Sequence, residues 1–130
     1  MTRALADTSI FIAQERARPL GALPDELAVS VVTIGELELG VLAATDPETR
    51  ARRADTLALV RGADPIPIGE PVMGAFARLV HDCRLAGARP RVLDALIAAT
   101  AVEYGLPLVT QDDDFSTIAT AHPRLEVLRV

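Results

Sequence analysis

The chain has 130 residues, half of them hydrophobic but only three per cent aromatic, and a formal charge of −5. That length bounds it to one domain, residues 1–130, with a core of Ala, Val, Leu and Ile, and the acidic balance argues against general phosphate-backbone binding. All thirteen basic residues are Arg, which excludes the lysine chemistries: the P-loop, Schiff bases and receiver-domain phosphotransfer.

A single cysteine, Cys83, forms no internal disulfide, and Asp7 interrupts the early apolar run that a signal peptide would need. Both favour a reduced, cytoplasmic setting. No uncharged run approaches the length of a membrane span.

In chain order, short β-branched or Leu-rich runs alternate with longer helical patterns, the signature of βαβ units on a parallel sheet. Residues 3–6 predict a first strand, and Asp7-Thr8-Ser9 suits the cap of a helix to about Arg16. Residues 27–32 predict the second strand. Thr33 then opens a helix through Glu36 to about Ala44, with Thr33 and Glu36 spaced as a capping box. Asp46-Pro47 starts another, with Leu57, Leu59 and Val60 inward, ending near Gly62. Residues 65–68 predict a short edge strand, because its prolines cannot complete a central ladder. Helices over 70–86 and 91–104 follow, the second stopped by Gly105. Residues 106–109 form the next strand, 111–114 a loop, 115–120 a short helix and 125–128 the last strand. The expectation is an α/β fold, an open parallel sheet of about five strands with helices on both faces.

The stretch Arg91 to Tyr104, RVLDALIAATAVEY, is apolar on nearly every face, so it reads as a buried helix. It carries one acid near its start, Asp94. An ionised carboxylate among Leu93, Leu96 and Ile97 needs a partner or a metal ion to offset its lost hydration. Three other acids fall at the same end of the sheet: Asp7 after the first strand, Glu36 in the helix beyond the second, and Asp112 after the fourth. Taken singly, Asp7 reads as a helix cap, Glu36 as the partner of Thr33, and Asp112 to Asp114 as charge at a helix N-terminus. Asp94 fits its ordinary explanation, negative charge in the first turn of a helix, less well, since a capping acid is usually exposed. A cation explains all four together. Oxygen ligands with few histidines suit Mg²⁺ or Mn²⁺, and the chemistry this equips is phosphodiester hydrolysis by an activated water. His81 with Cys83 is too sparse for zinc, and Ser9 lacks the His and Asp of a serine nucleophile.

These residues carry a resemblance. ADTSIFIA near the start, the isolated Glu36, and LDALIAATAVEYGLPLVTQDDDF resemble the PIN-domain family, in particular VapC-type toxins, over essentially the whole length. The resemblance implies a PIN-like α/β fold and Mg²⁺- or Mn²⁺-dependent endoribonuclease activity, often on structured RNA such as tRNA or rRNA. It implies a cognate antitoxin that holds the toxin inactive. By resemblance the metal ligands are Asp7, Glu36, Asp94 and Asp112, with Asp114 as a fifth, and Ser9 and Thr110 support them by hydrogen bonds. Asp112 is preferred to Asp114 because the matching motif places its ligand two residues after the Thr.

Arg84, Arg89 and Arg91 flank the break before Asp94 and are candidates to line an RNA path. A chain this hydrophobic is also expected to bury some surface in a homodimer. The rival reading is a non-catalytic module that keeps the fold as a protein or RNA platform.

Overall fold

The computed structural model describes residues 2–130, and its element order is β1 (Arg3–Ala6), α1 (Thr8–Glu15), β2 (Glu26–Ala28), α2 (Val31–Ala43), α3 (Pro47–Arg61), α4 (Glu70–Leu85), α5 (Val92–Glu103), β3 (Leu108–Thr110), α6 (Asp114–Ala121) and β4 (Val127–Arg129). The strands form one parallel sheet in the order β2-β1-β3-β4.

Strand side chains alternate between two apolar clusters, as the period of two requires. Leu5, Ala28 and Leu108 join Leu79, Ala98 and Phe115 on the face covered by α4, α5 and α6. Ala4, Ala6, Val29 and Val109 join Ile10, Leu37 and Val60 on the face covered by α1, α2 and α3. Both faces are therefore dry, the usual condition of an all-parallel sheet. The small side chains Ala95, Ala98, Ala99 and Ala101 are fully buried, and they let α5 lie close to its neighbours. Gly105, at φ 64°, takes the left-handed conformation just past α5 and ends it.

The sheet has four strands where about five are expected. Residues 65–68 contribute only an isolated bridge, Ser30 to Ile66. Ile66 donates to Val29 and accepts from Val31, but Pro65 and Pro67 on either side have no N–H with which to extend a ladder. The second strand stops at Ala28 instead of 32. Ser30 is the true cap of α2, its hydroxyl accepting from the Val32 amide at 3.1 Å, and this local bond overrides the strand preference of Val31 and Val32. The capping box expected from Thr33 is therefore not made; Thr33 sits buried inside the helix. Leu59, expected inward, is 73% exposed, one position off the stripe formed by Leu57 and Val60. Val92 and Leu93 at the start of α5 are also exposed, as is Glu103 at its end, so that helix is buried between Asp94 and Ala101, with Leu96 half-buried. Among the described residues, no helix is long and apolar enough to cross a membrane.

Candidate active site

With the order β2-β1-β3-β4, the chain leaves β1 toward one edge and later returns to the other side of it, so the connections that follow β1 and β3 at their carboxyl ends, into α1 and α6, go to opposite faces of the sheet. A crevice opens at such a reversal. Asp7 ends β1 there, its amide donating to Val109 of β3 at 3.1 Å, and Asp112 follows β3 on the far side of the gap. Asp94 approaches from the first turn of α5 and Glu36 from the second turn of α2.

Asp7 is 4% exposed and Asp94 7% exposed. Burial, acting against the hydroxyls of Ser9 and Thr110, pushes the Asp7 carboxyl up to about 6, and the negative charges of Asp112 and Asp94 add to the rise. Asp94 is raised as well, first by burial, with Arg91 pulling it down and the charges of Glu36, Asp112 and Asp114 pushing it up. Asp94 thus feels all four other candidate acids, and Arg91 is the cation that opposes them.

Hydroxyl groups hold the carboxylates. Ser9 Oγ donates to Oδ1 of Asp7 at 2.6 Å and accepts the Gln111 amide at 3.0 Å, so it ties the end of β1 to the loop after β3. Thr110 Oγ1 lies 3.3 Å from Ser9 Oγ and accepts the Asp112 amide at 2.8 Å. Ser9 thus bonds a carboxylate directly, whereas Thr110 bonds the backbone amide of Asp112. Thr8 is not among the site residues that the sequence singles out. Its hydroxyl donates to Oε1 of Glu36 at 2.6 Å and lies 3.1 Å from the hydroxyl of Thr33. The sequence signal was available: successive helical residues point about 100° apart, so if Ser9 turns back to Asp7, Thr8 must face a different neighbour.

The capping readings fail at two acids. Asp7 stands at the N-cap position of α1 without a side-chain cap bond, and Glu36 is engaged by Thr8 in place of a helix-end amide. In the run Asp112 to Asp114, Asp113 is set apart by Arg129, whose Nη1 lies 3.0 Å from Asp113 Oδ1. Arg129 also donates from Nε and Nη2 to the Gln111 carbonyl, a clamp on the loop that local sequence does not reveal. Asp112 is half-buried and Asp114 exposed. Asp114 lines a cavity of about 230 Å³ together with Asp94, Arg89, Arg91 and Thr117. Arg84, in the last turn of α4, lies outside that cavity and borders the next one.

The donor set is all oxygen, and its members repel one another. Ser9 engages only Oδ1 of Asp7 and Thr8 only Oε1 of Glu36. These are the properties of a site for a hard divalent cation. The acids share a field without forming a finished coordination sphere: among the described residues, no three His, Cys, Asp or Glu side chains stand in position to hold an ion as they are.

Residues 4–121 match the family model described as PIN domain. Ribonuclease VapC8 of Mycobacterium tuberculosis is 61% identical over 99 residues, 75% of this chain and 88% of the relative. Ribonuclease VapC4 of the same species is 46% identical over 130 residues, 98% of this chain and 97% of the relative. Among solved structures, a chain of VapBC-5, from the VapBC family of toxin-antitoxin systems of M. tuberculosis, superposes with a TM-score of 0.88 at 38% identity, covering all of both chains. FitAcB from Neisseria gonorrhoeae gives 0.74 at 25% identity over 97% of this chain and 96% of the other. The strand order, the acids gathered at the sheet's reversal and these similarities agree: the chain belongs to the PIN-domain family, among its VapC-type members.

Proposed function

We propose that this protein is a metal-dependent endoribonuclease and the toxin of a toxin-antitoxin pair, its whole length forming one PIN-like domain. The observation that carries the reading is Asp94, a nearly buried carboxylate on which four other acids bear and which one arginine opposes. Elements that approach from four parts of the sequence have no structural need to bring like charges together there.

Asp7, Glu36, Asp94 and Asp112 would hold the cation, with Asp114 beside them. A bound Mg²⁺ or Mn²⁺ supplies water activation at neutral pH and charge to offset the leaving oxygen of a phosphodiester. The chain's own hydroxyls do the positioning: Ser9 bonds Asp7, Thr8 bonds Glu36, and Thr110 holds the backbone amide of Asp112. Arg89 and Arg91, at the mouth of the cavity that Asp94 and Asp114 line, draw the RNA phosphate toward the acids and offset their repulsion. Structured RNA such as tRNA or rRNA is the substrate class. The similarity to VapBC-5 supports an antitoxin partner, and an arginine placed among the carboxylates would both cover and neutralise them. A homodimer buries the remaining apolar helix surface.

The test is cleavage of a mixed tRNA and rRNA pool by purified protein. Cleavage should need Mg²⁺ or Mn²⁺ and stop with EDTA. Activity that survives thorough chelation contradicts the mechanism, and no cleavage with either metal favours a non-catalytic platform.

A further inference from the structure

The Arg89-Pro90 step separates two cavities. On one side is the cavity that takes in Asp94 and Asp114. On the other is a cavity of about 350 Å³, lined by the apolar Phe76 and Val80 of α4 and Ala95 of α5, with His81, Arg84 and Arg89 at its rim. Arg89 and Pro90 line both, so the two are adjacent, with this step as their common wall. The second volume falls in the roughly 300–1,000 Å³ range of small-ligand sites.

Its chemistry differs from that of the rest of the surface. The chain has 18 acidic residues to 13 arginines, yet no carboxylate lines this cavity. Arg84 and Arg89 are exposed, and among the described residues neither takes part in an ion pair. Phe76 is only half-buried, whereas Phe11 and Phe115 are in the core. A flat apolar base finds an aromatic and aliphatic lining here, and its phosphate finds two free guanidinium groups.

We infer that this cavity is a nucleotide subsite, holding the unstacked base of the RNA residue next to the phosphodiester presented to the acids, with Arg84 and Arg89 on its phosphate. The identity of the ligand as RNA rests on the ribonuclease reading. Because the subsite contains none of the acids, its occupation needs no metal.

The probe is 5′-AMP, titrated into ¹⁵N-labelled protein in EDTA and followed by amide NMR, with adenosine and inorganic phosphate in parallel. AMP should shift the amides of Phe76, Val80, His81 and Ala95 saturably, and phosphate alone should not. Arg84→Ala should weaken AMP about tenfold, and Ala77→Trp, which fills the cavity from an exposed position on α4, should abolish the shifts while the rest of the spectrum is kept. Shifts elsewhere only, equal shifts from phosphate alone, or unchanged affinity in Arg84→Ala would overturn the proposal. So would loss of a dimer in Ala77→Trp with no AMP response in the parent protein, which would make the cavity an interface between copies. The same sample is assayed on RNA with Mn²⁺: AMP binding without cleavage removes the nuclease reading and leaves the subsite, and cleavage without AMP binding does the reverse.

Discussion

The two sides of the crevice treat their carboxylates differently. Asp7 and Asp94 are buried against the sheet and α5, and burial raises both. Across the gap, Asp113 and Asp114 are exposed, and Asp113 is matched by Arg129. An exposed acid can sit almost anywhere on a surface at little cost. A buried one that is crowded by like charges destabilises the metal-free fold, and such a position makes physical sense when something else bound there restores the balance. In the proposed site this difference makes Asp7 and Asp94 the centre, and Asp113 part of its frame.

Activity should divide along the same line, and this is the largest expected effect. Asp7→Asn, Glu36→Gln and Asp112→Asn should each lower RNA cleavage by about a hundredfold or more, since each removes a ligand of one shared centre. Asp113→Asn should stay within about threefold of wild type, because it gives up only an exposed ion pair. Equal losses at Asp113 and Asp112 in a single-turnover assay would erase the distinction.

The pH dependence of stability tests the buried side alone. Asp7 has a folded-state value of about 6, above its unfolded value, so its contribution is fully present below the unfolded value and is lost as pH rises through about 6. In EDTA, wild type should therefore lose stability relative to Asp7→Asn between about pH 4 and pH 7, by on the order of 3 kcal/mol. Denaturant melts of both proteins across that window measure it. A constant difference between the two would mean that Asp7 carries no buried-charge penalty.

Ser9 joins the two sides, bonding Asp7 on one and the Gln111 amide on the other. Ser9→Ala should cost about 1–3 kcal/mol of stability and reduce cleavage about tenfold, because a charge-assisted bond is lost and Asp7 is freed to turn. A variant with full activity would show that the hydroxyl does not position the carboxylate. The smallest effect is expected at the clamp. Arg129→Ala, at an exposed pair, should move the melting temperature by only about 2 °C, yet hydrogen exchange in residues 111–114 should quicken as the loop loses its side-chain donors.

How far each part of this could be read in advance depended on the range of the interactions involved. Asp94 stands out in the sequence as the one charge in an apolar helical stretch, and in the structure its carboxylate is buried, as is that of Asp7. The parallel sheet and its two apolar faces followed from the alternation of patterns. Boundaries failed where one local bond outweighed a propensity: Ser30 starts α2 through two valines that favour a strand, and Pro65 and Pro67 reduce an expected strand to one bridge. Leu59 was placed inward because apolarity does not by itself say which side of a helix is covered. Thr8 with Glu36, and Arg129 with Asp113, join residues 28 and 16 positions apart, contacts fixed by topology and invisible until the strand order is known.

The central claim is that Asp94 belongs to a cation site, and thermal melts of wild type and Asp94→Asn, first in EDTA and then with Mn²⁺, test it most directly. Asn keeps the size of the side chain and removes one of several repelling charges, a repulsion of about 1–4 kcal/mol for a pair at 4 Å at effective dielectric constants of 80 to 20. In EDTA the variant should melt at the wild-type temperature or above it. With Mn²⁺ at a hundred times its dissociation constant, wild type should gain about 2.7 kcal/mol and overtake the variant, which binds the ion poorly. A variant that melts several degrees below wild type in EDTA, alongside a wild type that Mn²⁺ does not shift, would contradict the account and make Asp94 a structural partner of Arg91.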